Sequence, residues 1–204
     1  ANVDISPYAD IIVNSLTKYA SSEGDVIMGA VCTTQQCPER DAITQRIRAI
    51  VEPPYARNLQ RLAEQIDRYL PLIESINTST IQVVEYLKSH PKVTKVYWSK
   101  EARSKANYER IARTPESIGG MISFVLNTDL ATFYDRLLLA KGPSFGMTQT
   151  LACPFMYLAH YDLISAEAGR AYLQQAGIDS ELIRFSRGGE PVAEIIEALD
   201  YALA

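Results

Sequence analysis

The chain has 204 residues, of which 47% are hydrophobic and 22% charged, with a formal net charge of −4. That balance is ordinary for a globular protein with a sizeable core and leaves no basic footprint for nucleic acid or an anionic membrane surface. No apolar run reaches the roughly 18 residues of a membrane span. No secretory signal is legible, and Cys32, Cys37 and Cys153 are an odd, irregularly spaced set, so the expectation is a cytoplasmic protein with reduced thiols.

In chain order, Ile11–Val13 and Val26–Val31 are short continuous apolar runs that read as buried strands. Thr33–Arg40 is polar and reads as a loop. A helix is predicted from Asp41, with Ile43, Ile47 and Ile50 on one face, and Pro53-Pro54 ends it. Leu59, Leu62, Ile66, Leu70 and Ile73 keep helical spacing, and Pro71 must kink or divide that helix. Thr80–Lys88 resumes the pattern. Beyond Pro91, Val93, Val96 and Tyr97 read as a strand, Lys100–Arg113 as a charged loop, and Met121–Leu126 as a strand. Leu130–Leu139 reads as a helix broken by Gly142-Pro143, and Ala166–Gln175 as a helix stopped by Gly177. Leu182–Ser186 is a short strand, and a closing amphipathic helix runs from Pro191. Strands alternating with helices make the class α/β or α+β.

Three places carry candidate chemistry. Lys18 follows the first strand, with Ser15 and Thr17 beside it. Such a lysine is either a solvated residue or an amine that holds an aldehyde, the hydroxyls either capping a turn or binding a phosphate. Arg184 lies between Ile183 and Phe185, either on a solvated face or reaching into a pocket where its planar fork recognises a carboxylate. Gly142–Pro154 is rich in small and hydroxyl residues and is either a ligand-approaching loop or a turn leading into a strand. His90 and His160 are isolated and the cysteines form no second pair, so no metal site is expected.

These segments resemble one family. Ser15–Tyr19 (SLTKY) followed by Gly24–Gly29 (GDVIMG) is similar to the lysine motif of the pyridoxal-phosphate-dependent Cys/Met metabolism enzymes. Glu85–Trp98, Gly119–Leu126, Lys141–Pro154 and Gly177–Leu203 resemble that family's later landmarks in the same order, closest to its cystathionine γ-synthase branch. The resemblance implies an α/β fold: the C-terminal part of a PLP-dependent transferase-like (aspartate aminotransferase-type) architecture. It further implies residues 1–50 as the end of a large cofactor domain, 51–90 as a connecting helical region and 91–204 as a small α/β domain. It implies pyridoxal 5'-phosphate as cofactor and small amino acids as substrates.

Lys18 is then the residue that binds the cofactor aldehyde and moves the substrate proton. Ser15 and Thr17 match phosphate contacts, Arg184 the arginine for the substrate carboxylate, and Thr150 a serine near the lysine. The implied reaction is γ-replacement on an activated homoserine by cysteine. Lyase or sulfhydrylase chemistry of the same family is the alternative, as is a non-catalytic interaction module. The family's ring-stacking tyrosine, pyridine-nitrogen aspartate and phosphate-binding glycines precede its lysine and have no match here, so the expectation is an incomplete chain lacking an N-terminal half, part of a homo-oligomer. Glu23 and Gly24 stand where the family often has histidine and serine, and Arg187 where it more often has an apolar residue.

Overall fold

The computed structural model describes residues 1–204. Strands β1 (Ile11–Ser15) and β2 (Gly29–Thr33) form an antiparallel pair. Both were expected to be buried, yet most of their residues are exposed, Val13 at 72%. A two-stranded ladder has no flanking strands, and helix α1 (Arg40–Ile50) packs on β2, tied by a 2.9 Å contact between the Thr33 and Thr44 hydroxyls. The second apolar run starts its ladder at Gly29 rather than Val26. The Met28 N–H is taken by the Thr17 hydroxyl, and Asn58 holds the Ile27 carbonyl.

The second helical pattern is divided, as the sequence predicts. Helix α2 (Ala56–Gln65) gives way to a 3-10 turn over Ile66–Arg68, and α3 (Tyr69–Ser89) follows. The break precedes Pro71 because the proline ring would strike the carbonyl four residues earlier in a continuous helix. Within α3, Pro71 occupies the first turn, where a missing N–H costs nothing. The expected segment Thr80–Lys88 is the second half of α3, whose buried stripe Leu72, Ile73, Ile76, Thr80, Val83, Val84 and Leu87 follows the helical period.

The main sheet has five strands: β3 (Val93–Tyr97), β4 (Met121–Leu126), β5 (Ala140–Lys141), β6 (Leu151–Pro154) and β7 (Ile183–Ser186). Their spatial order is β3-β4-β7-β6-β5, with only β5 and β6 parallel. Ile122, Phe124, Ala152, Ile183 and Phe185 lie on one face. They meet Val83, Val84 and Leu87 of α3, Phe133 of α5 (Leu130–Arg136), and Ile195 and Leu199 of α9 (Val192–Leu203). Phe124 stands edge-on to Phe133 and Phe185, at centroid distances of 6.0 and 6.1 Å.

Three expectations need correction. The predicted helix to Leu139 ends at Arg136, because the chain turns extended at Leu137 to bury that side chain and enter β5. The charged loop Lys100–Arg113 contains a short helix, α4 (Lys105–Glu109). Two short helices absent from the sequence reading, α6 (Phe155–Ala159) and α7 (Tyr161–Ser165), precede α8 (Glu167–Gln175), which stops near Gly177 at φ +70°. No helix is long and apolar enough to cross a membrane.

The Phe124 position generates the first prediction. Phe124→Ala should destabilise the chain by about 3–5 kcal/mol, through lost transfer energy and a residual cavity. Urea unfolding measures it, and a loss below about 1 kcal/mol would contradict the packing described.

Candidate active site

Lys18 sits in a tight turn just after β1, where its carbonyl accepts from the N–H groups of Ser21 and Ser22 at 3.1 and 2.8 Å. Its ammonium donates to the Ser144 hydroxyl at 3.0 Å and stands 4.8 Å from the centre of the Phe145 ring. Ser144 and Phe145 lie in the loop that joins β5 to β6 of the larger sheet. The turn and this loop are laced together. The Thr148 N–H donates to the Ser22 carbonyl at 2.8 Å, and Gly146 lies directly on Tyr19. Gly146 has φ +70°, and a Cβ there would lie 2.9 Å from the Tyr19 ring. Only glycine satisfies both conditions.

Arg184 reaches the same loop from β7. It pairs with Cys153 in the ladder, on the face opposite the core, because its neighbours Ile183 and Phe185 take the core side. Its Nη2 donates to the carbonyls of Pro143 and Ser144. Its guanidinium lies 4.9 Å from the Phe155 ring centre and 5.7 Å from that of Phe145. The side chain is half-buried and folds over the loop between β5 and β6. Nε and Nη1 make no hydrogen bond within the chain, so each keeps an N–H for an anion. The Cys153 thiol is pushed up by burial, with Arg184 opposing that shift.

A cavity of about 460 Å³ opens beside Lys18, lined by Ser15, Leu16, Tyr19, Tyr69 and Phe145 among others. Ser15 is exposed at the end of β1. The Thr17 hydroxyl accepts from the Met28 N–H at 3.1 Å, and its own proton has only the Met28 carbonyl, at 3.4 Å, as an acceptor in the chain.

Thr150 does not join this cluster. It is fully buried on the far side of the loop, where its hydroxyl donates to Glu190 at 2.8 Å and accepts from the Gly188 N–H at 2.9 Å. With both functions used and no exposure, it has nothing left for a substrate. Ser144 and Phe145 are the residues of this loop that meet Lys18. The small-residue segment Gly142–Pro154 contained that signal, but several hydroxyls within it compete and spacing does not select among them.

Behind the lysine turn, Glu23 pairs with Arg61 at 2.9 Å and Arg68 at 2.5 Å, and Asp25 with Arg61 at 2.7 Å. The Gln65 amide, buried, donates to Asp25 at 2.9 Å. The departure at Glu23 therefore serves to brace the turn against α2.

Tyr19 carries a pH signature. Burial pushes its hydroxyl up to about 12, opposed by a hydrogen bond with the Gly120 backbone. A raised folded value favours the neutral phenol, so its contribution to stability is complete below about 10 and is lost as pH rises towards about 12. Tyr19→Phe should therefore flatten the alkaline fall in melting temperature over that window. An identical fall in both proteins would contradict the buried phenol.

The chain matches the family model for Cys/Met metabolism PLP-dependent enzymes over residues 4–204. It is 36% identical to L-2-amino-4-chloropent-4-enoate dechlorinase/desaturase of Streptantibioticus cattleyicolor, over 96% of this chain and 39% of that protein. It is 32% identical to cystathionine gamma-synthase of Neurospora crassa, over 100% of this chain and 32% of that one. Among solved structures, cystathionine gamma-lyase from Lactobacillus plantarum complexed with L-serine superposes with a TM-score of 0.79 at 24% identity, over 95% of this chain and 50% of that one. The chain thus spans less than two fifths of these curated relatives and about half of the solved chain. On the strength of the family match and these identities, the chain belongs to the Cys/Met metabolism PLP-dependent enzymes.

Proposed function

We propose that this chain supplies the lysine and the carboxylate-binding half of a pyridoxal-phosphate site that acts on a small amino acid bearing a γ-leaving group. The supporting observation is the convergence of Lys18 and Arg184 on one loop: both cations face the Phe145 ring, with Ser144 between them. An amine and a guanidinium with unengaged N–H groups at one aromatic wall suit an amino acid held by its carboxylate with its Cα–H beside a base.

The donor set fits the cofactor. The exposed Ser15 hydroxyl lines the cavity beside Lys18. Thr17, oriented by the Met28 N–H, has a proton whose acceptor in the chain is remote enough to be exchanged for a phosphate oxygen. Lys18 supplies the amine that pairs with the aldehyde. When bound, the cofactor supplies the electron sink for a carbanion at Cα.

The remaining work is done by the chain. Arg184 offers single N–H groups of Nε or Nη1 to the carboxylate while Nη2 anchors it to Pro143 and Ser144. Lys18 takes the Cα proton, and the Ser144 hydroxyl holds its nitrogen in place between transfers. Phe145 and Phe155 exclude water from the guanidinium face. Replacement at the γ-carbon by a thiol, as in a cystathionine γ-synthase, is the reaction we assign to the whole protein. Elimination shares the early steps and differs in which group leaves and in what enters, a proton and water taking the place of the thiol.

To the same reading belong the division into residues 1–50, 51–90 and 91–204, and assembly into a homo-oligomer. The exposure of Val13 at 72% and Ile27 at 84% supports the latter. The three free cysteines accord with a cytoplasmic setting.

Incubation with pyridoxal phosphate should give a visible absorbance, and borohydride should then fix a pyridoxyl group on the Lys18 peptide. Lys18→Ala should give neither, and labelling spread evenly over other lysines would sink the assignment. Arg184→Ala should weaken amino-acid binding by about tenfold or more, the scale of a lost charge-assisted hydrogen bond, while cofactor retention is unchanged. Unaltered amino-acid affinity in a calorimetric titration would remove Arg184 from the site.

A further inference from the structure

Arg187 is the one arginine in the chain that is almost fully buried, at 2% exposure. No carboxylate lies within ion-pair distance of it. Its Nη1 donates to the Gly188 carbonyl and its Nη2 to the Glu190 carbonyl at 2.8 Å, while Nε has no partner. Burying a cation with only carbonyl oxygens as hydrogen-bond partners is less favourable than burying an apolar side chain of that size. Stability therefore does not account for it, and what it holds in place does.

It holds the turn after β7. In that turn, both Glu190 carboxylate oxygens accept from Thr150, one from its N–H at 2.5 Å and one from its hydroxyl at 2.8 Å. The Gly188 N–H returns to the Thr150 hydroxyl at 2.9 Å, and the Gly189 N–H to the Thr148 carbonyl at 2.7 Å. One residue before Arg187, the Ser186 hydroxyl accepts from the Gly146 N–H at 3.1 Å. Residues 146, 148 and 150 are thus pinned in succession to residues 186–190. The approach is so close that a Cβ on Gly188 would lie 2.4 Å from the Gln149 carbonyl carbon. The pinned segment continues directly into Ser144 and Phe145, which face Lys18 and Arg184.

We propose that Arg187 is a positioning residue: its guanidinium fixes the Gly188–Glu190 turn so that Glu190 grips Thr150 and holds the Ser144–Phe145 loop against Lys18. Its catalytic purpose rests on the cofactor reading above, but the clamp itself is a property of the chain alone. Glu190 contributes charge as well as geometry, since it opposes the downward pull of burial on the Arg187 guanidinium.

Amide hydrogen exchange, followed by mass spectrometry without cofactor, tests the clamp. Arg187→Met should speed exchange at residues 144–150 by about tenfold, the scale of one lost buried hydrogen bond, and leave β4 and α9 unchanged. Arg187→Lys, which keeps the charge but not the fork, should fall between the two. Unchanged exchange at 144–150, or an equal rise across β4 and α9, would overturn the proposal. Should Arg187→Met not fold, Glu190→Gln carries the same test with Arg187 intact, and the same two outcomes overturn it. In parallel, borohydride trapping of pyridoxal phosphate on Lys18 should slow several-fold in Arg187→Met and recover only in part in Arg187→Lys. Absence of trapping in the unsubstituted protein would refute the cofactor reading and leave the exchange result to decide the clamp.

Discussion

The register of β7 is the constraint on which the rest of the molecule depends. The strand runs between β4 and β6, pairing Phe185 with Ile122 and Ala152, and Arg184 with Ser123 and Cys153. Successive side chains of a strand face opposite sides, so a slip of one residue would drive Arg184 into the aromatic core and expel Phe185. The fully buried Phe124, Ile183 and Phe185 forbid that slip, and they thereby aim Arg184 at the other face. The segments beside β6 on that face carry Pro143, Ser144 and Phe145 before the strand and Phe155 after it, and all four receive the guanidinium. Core packing on one side of the sheet is therefore what positions the cation on the other.

Lys18 reaches the same place from a different sheet. The β1–β2 pair buries little and shares no strand with the larger sheet. What fixes Lys18 relative to Arg184 is short-range: Tyr19 against Gly146, the Ser22–Thr148 backbone bond and the Ser144 contact. The ion pairs of Glu23 and Asp25 with Arg61 and Arg68 sit on the outer side of the turn and are partly solvated. Pairs of that exposure are weak and screened by salt, so they brace the turn without setting its position. Atomic contact at Gly146 does that.

Much of this was legible in the residues, unevenly and for physical reasons. Strands β3, β4 and β7 of the larger sheet, the stripe of α3 and the division forced by Pro71 follow from period and from proline sterics, which act locally. Lys18 and Arg184 could be singled out because an amine after a strand and a cation between apolar residues are conspicuous against their surroundings. Ser144 could not be separated from Thr148 and Thr150, because Gly142–Thr150 follows no regular period and side-chain direction there is set by contacts with residues 19–22 and 186–190. The helices α6 and α7 are five residues each, too short for a periodic signal to accumulate. The exposure of β1 and β2 was missed because an apolar run shows that a strand can be buried and leaves open whether neighbours are present to bury it.

The contrast between the two sheets bears on how a site at their junction behaves. The larger sheet closes a core with α3, α5 and α9, whereas the β1–β2 pair contributes no residue to it. Local opening draws first on regions with little buried apolar contact, so the Lys18 turn belongs to the less stable side of the junction. A ligand that engages Lys18 and Arg184 together binds only when the two sides are docked, and its free energy adds to the docking. The loop of residues 143–150 is the shared element: Arg184 and the residue 186–190 turn hold it from the stable side, while Lys18, Tyr19 and Ser22 meet it from the other. Rigidity in that loop lowers the ordering cost that the ligand must offset. The buried Arg187, unfavourable in isolation, lies on the side of the junction where such rigidity can be built.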